Sequence, residues 1–390
     1  CGGSGDSRTT LRFVWWGNED RATVTEQAVK LFEDRNPGID VRTSFQNFQT
    51  YWEKLATETA GGNPPDVLQM DYRYLNEYAG RGVLLDLGTQ VPTTDWNPGF
   101  AASGRIRGKQ VALPFAQNTT TIVYDPKVFP TPQLGWTWQD YKNAAVKAHD
   151  TNGIAGATDF GGTEDVFEIW LRQRHKALYT EDGTFGFTEQ DLRDFWQLSA
   201  DFRTSKAATP PELTTKLNAA AQETPLGTRK SASEHSYDSL FGGYDAVRKG
   251  ELKLAPYPSQ DSTLLGSYRK PSQLVSVSAR TKNKEAALKL VTFLLNDPDA
   301  GRILGANRGL PANLKIRAAV ATTVTGPDKL IFDYEANVDK ALGDAPQAPP
   351  KGDGAVYKLM QRMNEEIVFG RTSIDDAVQR FFTEAKQALS

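Results

Sequence analysis

Apolar and polar residues alternate along the first seventy positions in the order of an α/β domain. Leu11 to Trp16 is nearly all apolar, as in a parallel strand that is buried on both faces. Helical spacing of apolar residues follows as far as residue 32, and residues 39 to 43 alternate as a second strand. A helix at Tyr51 to Ala60 and a strand at Asp66 to Met70 come next. The pattern therefore predicts a β-α-β-α-β unit with a parallel sheet.

The loops at the carboxyl ends of these strands are Gly17–Asp20, Gln46–Phe48 and Asp71–Tyr74. Because parallel strands end at the same edge of a sheet, the three loops should lie side by side, where open α/β sheets bind their ligands. Gln46 is a candidate ligand contact on this ground.

The stretch from Ala112 to Pro126 divides the chain. Five hydrogen-bonding side chains, at residues 117–121, precede a β-branched and aromatic run at Ile122 to Tyr124. Polar residues between strands usually form a turn, but a turn needs Gly, Pro, Asn or Asp at defined positions, and this run has one Asn and three Thr. The alternative that we favour is an extended crossover between two lobes, with Gln117 and Asn118 under a ligand.

Later segments alternate between helical and strand patterns. Thr137 is a predicted N-cap, with Asp140 at the capping-box position. The predicted helices are Thr137 to His149, Val166 to Tyr179, Glu189 to Arg203, Lys284 to Asn296 and Arg371 to Leu389, and the predicted strands are Lys230 to Tyr237 and Leu274 to Ser278.

The composition is that of a large globular protein. Its 390 residues exceed what one hydrophobic core normally serves, so two domains are expected. With a net charge of −3 and no basic stripe, we expect no nucleic-acid partner. No apolar run approaches the roughly 18 residues of a membrane helix. Eight Trp, thirteen Tyr and nineteen Phe suit large cores and also the apolar face of a sugar site.

The one cysteine is residue 1, and the composition of Gly2 to Ser7 is that of a flexible tether. A lone cysteine cannot form an internal disulfide. A cloning remnant is one explanation, and the one that we favour is a processed terminus, at which signal peptidase cuts before a cysteine that carries lipid. We therefore expect a lipid anchor at Cys1, which would hold the protein at the outer face of the cell membrane.

Catalytic motifs are absent from the sequence. The three histidines, at positions 149, 175 and 235, lack short metal-ligand spacing, and neither a nucleophile elbow nor a P-loop is present. Carboxylates are plentiful, so their number alone leaves a glycosidase pair open, but no spacing marks two of them as a pair. We expect neither a metal nor a cofactor.

Several short motifs follow one another in a recognisable order. They are Leu11 to Gly17, Asn63 to Val67, Tyr78 to Leu84, Pro114 to Asp125, Ser276 to Ser278 with Lys282 to Ala287, Gly309 to Ala312 and Gly370 to Val378. Their order, behind an N-terminal cysteine and over most of the chain, resembles the extracellular solute-binding proteins that feed sugars to ABC importers, the family that contains maltose-binding protein.

This resemblance implies a two-lobed periplasmic-binding-protein-like fold of the α/β class. Each lobe would be a mostly parallel sheet flanked by helices, and a hinge would join the two. After a tether at residues 1–10, lobe 1 is expected at 11–117 plus about 275–325, and lobe 2 at 118–274 plus about 326–390. The sugar is expected in the cleft between the lobes, which would close on it and open at the transporter.

The resemblance also implies site residues. The sugar-facing motif positions of the family fall here on Trp16, Asn18, Glu19, Asp71, Arg73 and Asn118. Maltose-binding protein carries acids at the last two of these positions, so its particular sugar is not transferred. In lobe 2 the candidates rest on position and chemistry only, and they are Glu164, Trp170, His235, Tyr237 and Tyr268.

Each candidate has a structural alternative. Asp71 could cap the next helix. Asn118 could satisfy backbone groups of the hinge, and Trp170 and His235 could be core residues. Arg308, directly before the motif Gly309 to Ala312, could be only a surface charge.

Acids and amides can fix sugar hydroxyls, and Trp can pack against the apolar ring face. We therefore predict a monomeric binding protein without catalysis. Its ligand would be a neutral mono- or oligosaccharide, delivered to the membrane permease subunits of an ABC importer. The alternatives are a secreted carbohydrate-active enzyme, either a glycosidase or a lyase, and a protein of the same fold that binds a metal complex.

Overall fold

The structure is a computed structural model that describes residues 8–214 and 221–389. Cys1, with its expected lipid, lies outside the described residues. The strands are β1 (Thr9–Trp16), β2 (Ile39–Gln46), β3 (Val67–Met70), β4 (Arg105–Ile106), β5 (Lys109–Gln110), β6 (Leu113–Asn118), β7 (Thr120–Tyr124), β8 (Ser233–Tyr237), β9 (Lys253–Ala255), β10 (Lys270–Val277) and β11 (Leu310–Pro311). The α-helices are α1 (Glu19–Arg35), α2 (Phe48–Ala60), α3 (Leu75–Gly80), α4 (Trp138–Asn152), α5 (Glu164–Arg172), α6 (Glu189–Thr204), α7 (Pro211–Thr214), α8 (Phe241–Arg248), α9 (Lys284–Asn296), α10 (Pro298–Leu304), α11 (Leu314–Ala321), α12 (Gly326–Val338), α13 (Asp353–Val368) and α14 (Ile374–Leu389).

Internal contacts divide the chain into two units. The first unit comprises residues 8–118 and Lys270–Val324, and the second comprises Thr119–Arg269 and residues 325–389. The chain therefore passes from one unit to the other after residues 118, 269 and 324.

A six-stranded sheet forms the centre of the first unit, in the order β11-β6-β10-β3-β1-β2. The β1 strand pairs in parallel with β2 and β3, so the predicted β-α-β-α-β unit is confirmed. The β10 strand lies between β3 and β6 and runs antiparallel to both, which leaves β6 parallel to β3. Because β1, β2, β3 and β6 share one direction, all four end at the same edge of the sheet.

Burial on both faces explains why β1 is an inner strand of this sheet, because residues 13 to 16 are all buried. Leu11, Phe13 and Trp15 are fully buried and pack with Val67 of β3 and Phe32 of α1. Burial of each large apolar side chain stabilises the fold by about 1.5–3 kcal/mol. Successive side chains of a strand point to opposite faces of the sheet, so the side chains of Trp15 and Trp16 lie on opposite faces.

The second unit is built on a different sheet. Its strands, in the order β8-β7-β9, are antiparallel, whereas a mostly parallel sheet was expected in this part of the chain. The helices between β7 and β8 pack their aromatic residues into one core, to which the sheet also contributes. After these helices, β8 pairs antiparallel with β7. Phe167 of α5 and Phe195 and Trp196 of α6 are fully buried in that core.

Local signals fix some helix ends and miss others. The predicted capping box of α4 is confirmed, because the Asp140 N–H donates to Thr137 Oγ1 at 3.0 Å and the Thr137 N–H donates to Asp140 Oδ2 at 2.8 Å. The α5 helix ends at Arg172, well before the predicted Tyr179. The chain turns there, and His175 adopts a left-handed φ of 57° that a helix cannot continue through.

Of the two C-terminal helices, the sequence predicted one and missed the other. The α14 helix lies within the predicted helix from Arg371 to Leu389, and its buried residues are Ala377, Val378, Phe381 and Ala385. The α13 helix was not predicted. It begins after Gly352, whose φ is 96° and which has no side chain to act as a cap, so the usual start signal is missing.

Candidate ligand-binding site

The structure brings the first-unit candidates to one edge of the sheet. Trp16 ends β1 beside Gln46, which ends β2, and Asp71 follows the end of β3. Gln117 and Asn118 end β6 and pair with the first residues of β10. These residues come from distant positions of the chain but share the carboxyl edge at which α/β sheets bind ligands.

Asp71 has a structural role at this edge. Its side chain caps a single 3₁₀ turn, Tyr72–Tyr74, and accepts the N–H of Arg73 at 2.8 Å. Burial raises the pKa of Asp71, and the Arg73 N–H, Lys270 and the Arg73 charge oppose that rise. Lys270, the first residue of β10, is a member of this group that sequence reasoning missed.

Asn18 is also a cap. Its side chain accepts the N–H of Arg21 at 3.0 Å at the start of α1, where Glu19 is exposed in the first turn. A carboxylate in the first turn is favoured by the helix dipole. Asn18 and Glu19 therefore both stabilise the start of α1. These roles are compatible with a ligand contact but do not require one.

The two adjacent tryptophans of β1 lie in different surroundings. The Trp15 ring packs against Phe13 and Phe45, with centroids 5.0 and 6.2 Å away. The Trp16 ring packs edge-on against Phe48, with centroids 5.3 Å apart, and Phe48 is 45% exposed. The aromatic surface at this edge thus includes Phe48, which sequence reasoning did not single out.

Gln117 and Asn118 differ in exposure. The Gln117 side chain is fully buried, and its Oε1 accepts from Arg317 Nη2 at 3.1 Å. Asn118 is half-buried and pairs with Lys270 across the ladder. Of the two, Asn118 is the better placed for a ligand contact.

In the second unit, three of the candidates gather around the first two turns of α5. Glu164 begins this helix, and Tyr237 and Tyr268 donate to two acids of the same helix. The Tyr237 hydroxyl donates to Asp165 Oδ1 at 2.6 Å, and the Tyr268 hydroxyl donates to Glu168 Oε2 at 2.9 Å.

These hydrogen bonds form in a buried setting. Burial, followed by the charge of Asp165, raises the pKa of Tyr237 well above its ordinary value, so its hydroxyl keeps the proton that it donates. Asp165 and Glu168 were missed by sequence reasoning. The signal that could have found Glu168 is its helical i, i+4 spacing from Glu164, which places the two acids on one face.

Trp170 and His235 lie elsewhere in the second unit. The Arg174 guanidinium carbon is 3.5 Å from the centroid of the Trp170 ring, and both residues line a cavity of about 420 Å³ with Trp138. The His235 ring lies among aromatic rings, and its two nitrogens are buried without a hydrogen-bond partner among the described residues. This placement favours the core alternative for His235.

Arg308 corrects an expectation. It is 6% exposed and donates to two side chains of the first unit, so the alternative of a plain surface charge is wrong. For the other candidates, contact with a ligand stays a prediction.

Comparison with known proteins identifies the class to which this fold and this sheet edge belong. A model of the bacterial extracellular solute-binding protein family matches residues 16–301. That stretch is well over half of the 390 residues, so the chain belongs to this family, as its motifs indicated.

Individual proteins resemble this chain in sequence or in fold. Extracellular solute-binding protein family 1 from Alicyclobacillus acidocaldarius is 30% identical, with a TM-score of 0.83 over 99% of this chain and 100% of its own. The periplasmic oligogalacturonide-binding protein of Yersinia enterocolitica is 18% identical, with a TM-score of 0.83 over 98% of this chain and 100% of its own. An uncharacterized lipoprotein in the oleD 5′ region of Streptomyces antibioticus is 25% identical over 335 residues, which are 77% of this chain and 70% of that protein. The structural matches confirm the expected fold class.

Proposed function

We propose that this protein binds a neutral sugar, either a monosaccharide or an oligosaccharide, and delivers it to the permease of an ABC transporter. Membership of the solute-binding family supports binding and transport. The sugar is supported chiefly by the tyrosine–carboxylate pairs of the second unit, Tyr237 with Asp165 and Tyr268 with Glu168. A carboxylate can accept several hydrogen bonds, so each acid can bind a tyrosine and a sugar hydroxyl together.

The first unit offers complementary chemistry. Asp71 and Asn118 are hydrogen-bonding groups at the sheet edge, and the exposed ring of Phe48 lies beside Trp16. Such a mixture suits a ligand that carries hydroxyls on a ring with apolar faces. The participation of both units in one site stays a prediction.

The main alternative to a neutral sugar is an acidic sugar. The Yersinia relative is described as an oligogalacturonide-binding protein, and such a ligand is acidic. Arg73 and Lys270 at the first-unit edge would favour an acidic sugar. The three acids at the start of α5, Glu164, Asp165 and Glu168, would repel it, and they are the reason that we favour a neutral ligand.

A thermal-shift panel tests the proposal. The panel would contain neutral mono- and oligosaccharides, oligogalacturonides and amino sugars. Binding at 100 times Kd adds about 2.7 kcal/mol to the free energy of unfolding, which gives a clear shift. We expect a shift with at least one neutral sugar. A shift confined to oligogalacturonides would overturn the neutral ligand, and no shift with any sugar would overturn the sugar-binding proposal.

Two alternatives have direct tests. The family is one of binding proteins, and we propose that this member does not catalyse a reaction. Incubation with a panel of glycans, followed by product chromatography, would reveal a glycosidase or lyase.

Among residues 8–214 and 221–389, no group of three or more His, Cys, Asp and Glu is arranged to hold a metal ion. Metal analysis of the purified protein would reveal a metal-complex ligand.

We further propose that a lipid on Cys1 anchors the protein, as a monomer, to the outer face of the membrane. The description of the Streptomyces relative as a lipoprotein supports this anchor. In the described part of the chain, no helix has the length and apolar character needed to cross a bilayer. Detergent phase partitioning of the cell-derived protein tests the anchor. Small-angle scattering with and without sugar tests the monomer and the predicted closure of the lobes.

A further inference from the structure

Two neighbouring arginines of the first unit have only neutral acceptors in the described part of the chain. Arg308 donates through Nε to Gln69 Oε1 at 3.1 Å and through Nη2 to Thr25 Oγ1 at 2.9 Å. Its third nitrogen, Nη1, is buried and has no acceptor among the described residues. A guanidinium has five N–H donors and keeps its charge in proteins, so the site of Arg308 is incompletely satisfied.

Arg21 brings a second positive charge to the same place. It donates through Nη1 to the Trp16 carbonyl at 3.1 Å, and through Nε and Nη2 to the side chain and carbonyl of Asn307 at 3.0 and 3.2 Å. With its amide oxygen facing the guanidinium, Gln273 accepts from Arg21 Nη1 at 2.9 Å. Burial, followed by the repulsion from Arg21, lowers the pKa of Arg308 well below its ordinary value.

Another arginine of this unit has charged partners. Arg35, at the end of α1, forms ion pairs with Asp297 and Asp299 while 43% of its side chain is exposed. The more deeply buried Arg308 has no such pair among the described residues. Because a buried charge is strongly unfavourable unless it is paired, a missing anion is the simplest way to complete this site.

The space beside Arg308 limits what that anion can be. Arg308 lines a cavity of about 30 Å³ whose other lining residues are glycines and apolar residues, among them Phe115, Leu304 and Ile316. A cavity needs at least about 10–15 Å³ to hold a water, so this one admits a water-sized or slightly larger species and excludes a sugar. The guanidinium carbon also lies 5.0 Å from the centroid of the Phe115 ring, which closes one side of the site.

We propose that a small monovalent inorganic anion of the chloride class binds beside Arg308 and neutralises the Arg21–Arg308 pair. The anion would accept from Arg308 Nη1. It would be a structural component of the first unit, distinct from the transported ligand. Through Arg21, which donates to the Trp16 carbonyl, it would also stabilise the edge at which the sugar candidates lie.

The test uses the full-length protein and chloride itself. Thermal unfolding would be followed as chloride replaces a bulky organic anion at constant ionic strength, and chloride-35 NMR line broadening would be measured in parallel. The wild type should show a saturable rise in melting temperature and excess line width. Arg308→Met should lose both chloride effects, with an affinity for chloride at least about tenfold weaker.

Arg35→Met is the matched control, because it removes an exposed, paired arginine from the same unit, and it should retain both effects. Arg308→Lys keeps the positive charge and replaces Arg308→Met as the test variant if the latter does not fold. It should weaken chloride binding without abolishing it. Identical melting of the wild type in chloride and in the bulky anion would overturn the proposal. Retention of the full chloride effect in Arg308→Met or Arg308→Lys would also overturn it.

Discussion

The Tyr268 hydroxyl donates to Glu168 Oε2 across 2.9 Å, although 100 positions separate the two residues in the sequence. Arg172, one helical turn beyond Glu168, places its guanidinium carbon 4.8 Å from the centroid of the Tyr268 ring. The phenol is thus held between an acid and a cation of the same helix. A carboxylate that is oriented before the ligand arrives loses little conformational freedom on binding.

Substitution of this carboxylate should weaken sugar binding. Glu168→Gln keeps the shape of the side chain but removes its charge, and hydrogen bonds to charged groups contribute about 1.5–3 kcal/mol. We expect at least a tenfold loss of affinity, which corresponds to about 1.4 kcal/mol, by calorimetric titration with the sugar found in the panel. Glu366→Gln removes a partly exposed acid that pairs with Arg380 in the same unit, and it should bind normally. Normal affinity in Glu168→Gln would contradict the prediction.

Two substitutions of Asp71 distinguish its role as an N-cap from its expected role as a ligand contact. Asparagine is as good an N-cap as aspartate, whereas alanine loses about 0.5–2 kcal/mol at such a position. Asp71→Asn should therefore keep the melting temperature of the sugar-free protein, and Asp71→Ala should lower it. Both should weaken sugar binding, Asp71→Ala by at least tenfold. Normal affinity in Asp71→Asn would limit this residue to its structural role.

Asp238 makes stability depend on pH. It is fully buried, accepts from the Thr119 N–H at 3.0 Å, and lies in hydrogen-bonding contact with Glu335. Burial, followed by the charge of Glu335, raises the pKa of Asp238 well above its ordinary value. The folded state therefore holds a proton that the unfolded state, with a pKa of about 3.9, releases. This contribution to stability is complete below about pH 3.9 and is lost as pH rises through the folded-state pKa.

Asp238→Asn should remove this dependence, because an amide can donate to Glu335 without binding a proton. Urea unfolding at pH 5, 7 and 9 should show the variant gaining on the wild type as pH rises. Asp375→Asn, in which the substituted side chain is 73% exposed, should follow the wild type. A constant difference between Asp238→Asn and the wild type at all three values would show that the pair does not share a proton.

His235 should act in the opposite direction. Burial among aromatic rings lowers the pKa of His235 to about 3, so the unfolded state, with a pKa near 6.5, takes up a proton that the folded state rejects. Its contribution is present above about pH 6.5 and is lost as pH falls toward 3, by up to about 1.4 kcal/mol per pH unit. His235→Phe should flatten the stability profile between pH 6.5 and 4.5, while His175→Asn, at an exposed turn, should not. An unchanged profile in His235→Phe would show that the histidine takes up its proton over the same pH range in the folded and the unfolded protein.

The sequence predicted elements better than the contacts between them. The bounds of α9 agree with the predicted Lys284 to Asn296, because an apolar stripe and a following proline are local signals. Strand ends likewise predicted the carboxyl edge of the first sheet. The partners of Asp165 and Arg308 lie 72 and 239 positions away, and no local pattern reports them. Burial of a charged residue is decided by such distant partners, so the sequence alone could not exclude a plain surface charge at Arg308.

The position of β10 has a consequence for the newly made chain. This strand joins β3 to β6 in the first sheet, yet it follows residues 119–269 of the second unit in the sequence. Until it has been synthesised, β3 and β6 each present an open backbone edge, and such edges invite pairing with other molecules. Fragments that stop at residue 269 should therefore aggregate even though most of the protein is present. Completion of the first sheet must therefore wait for the last third of translation.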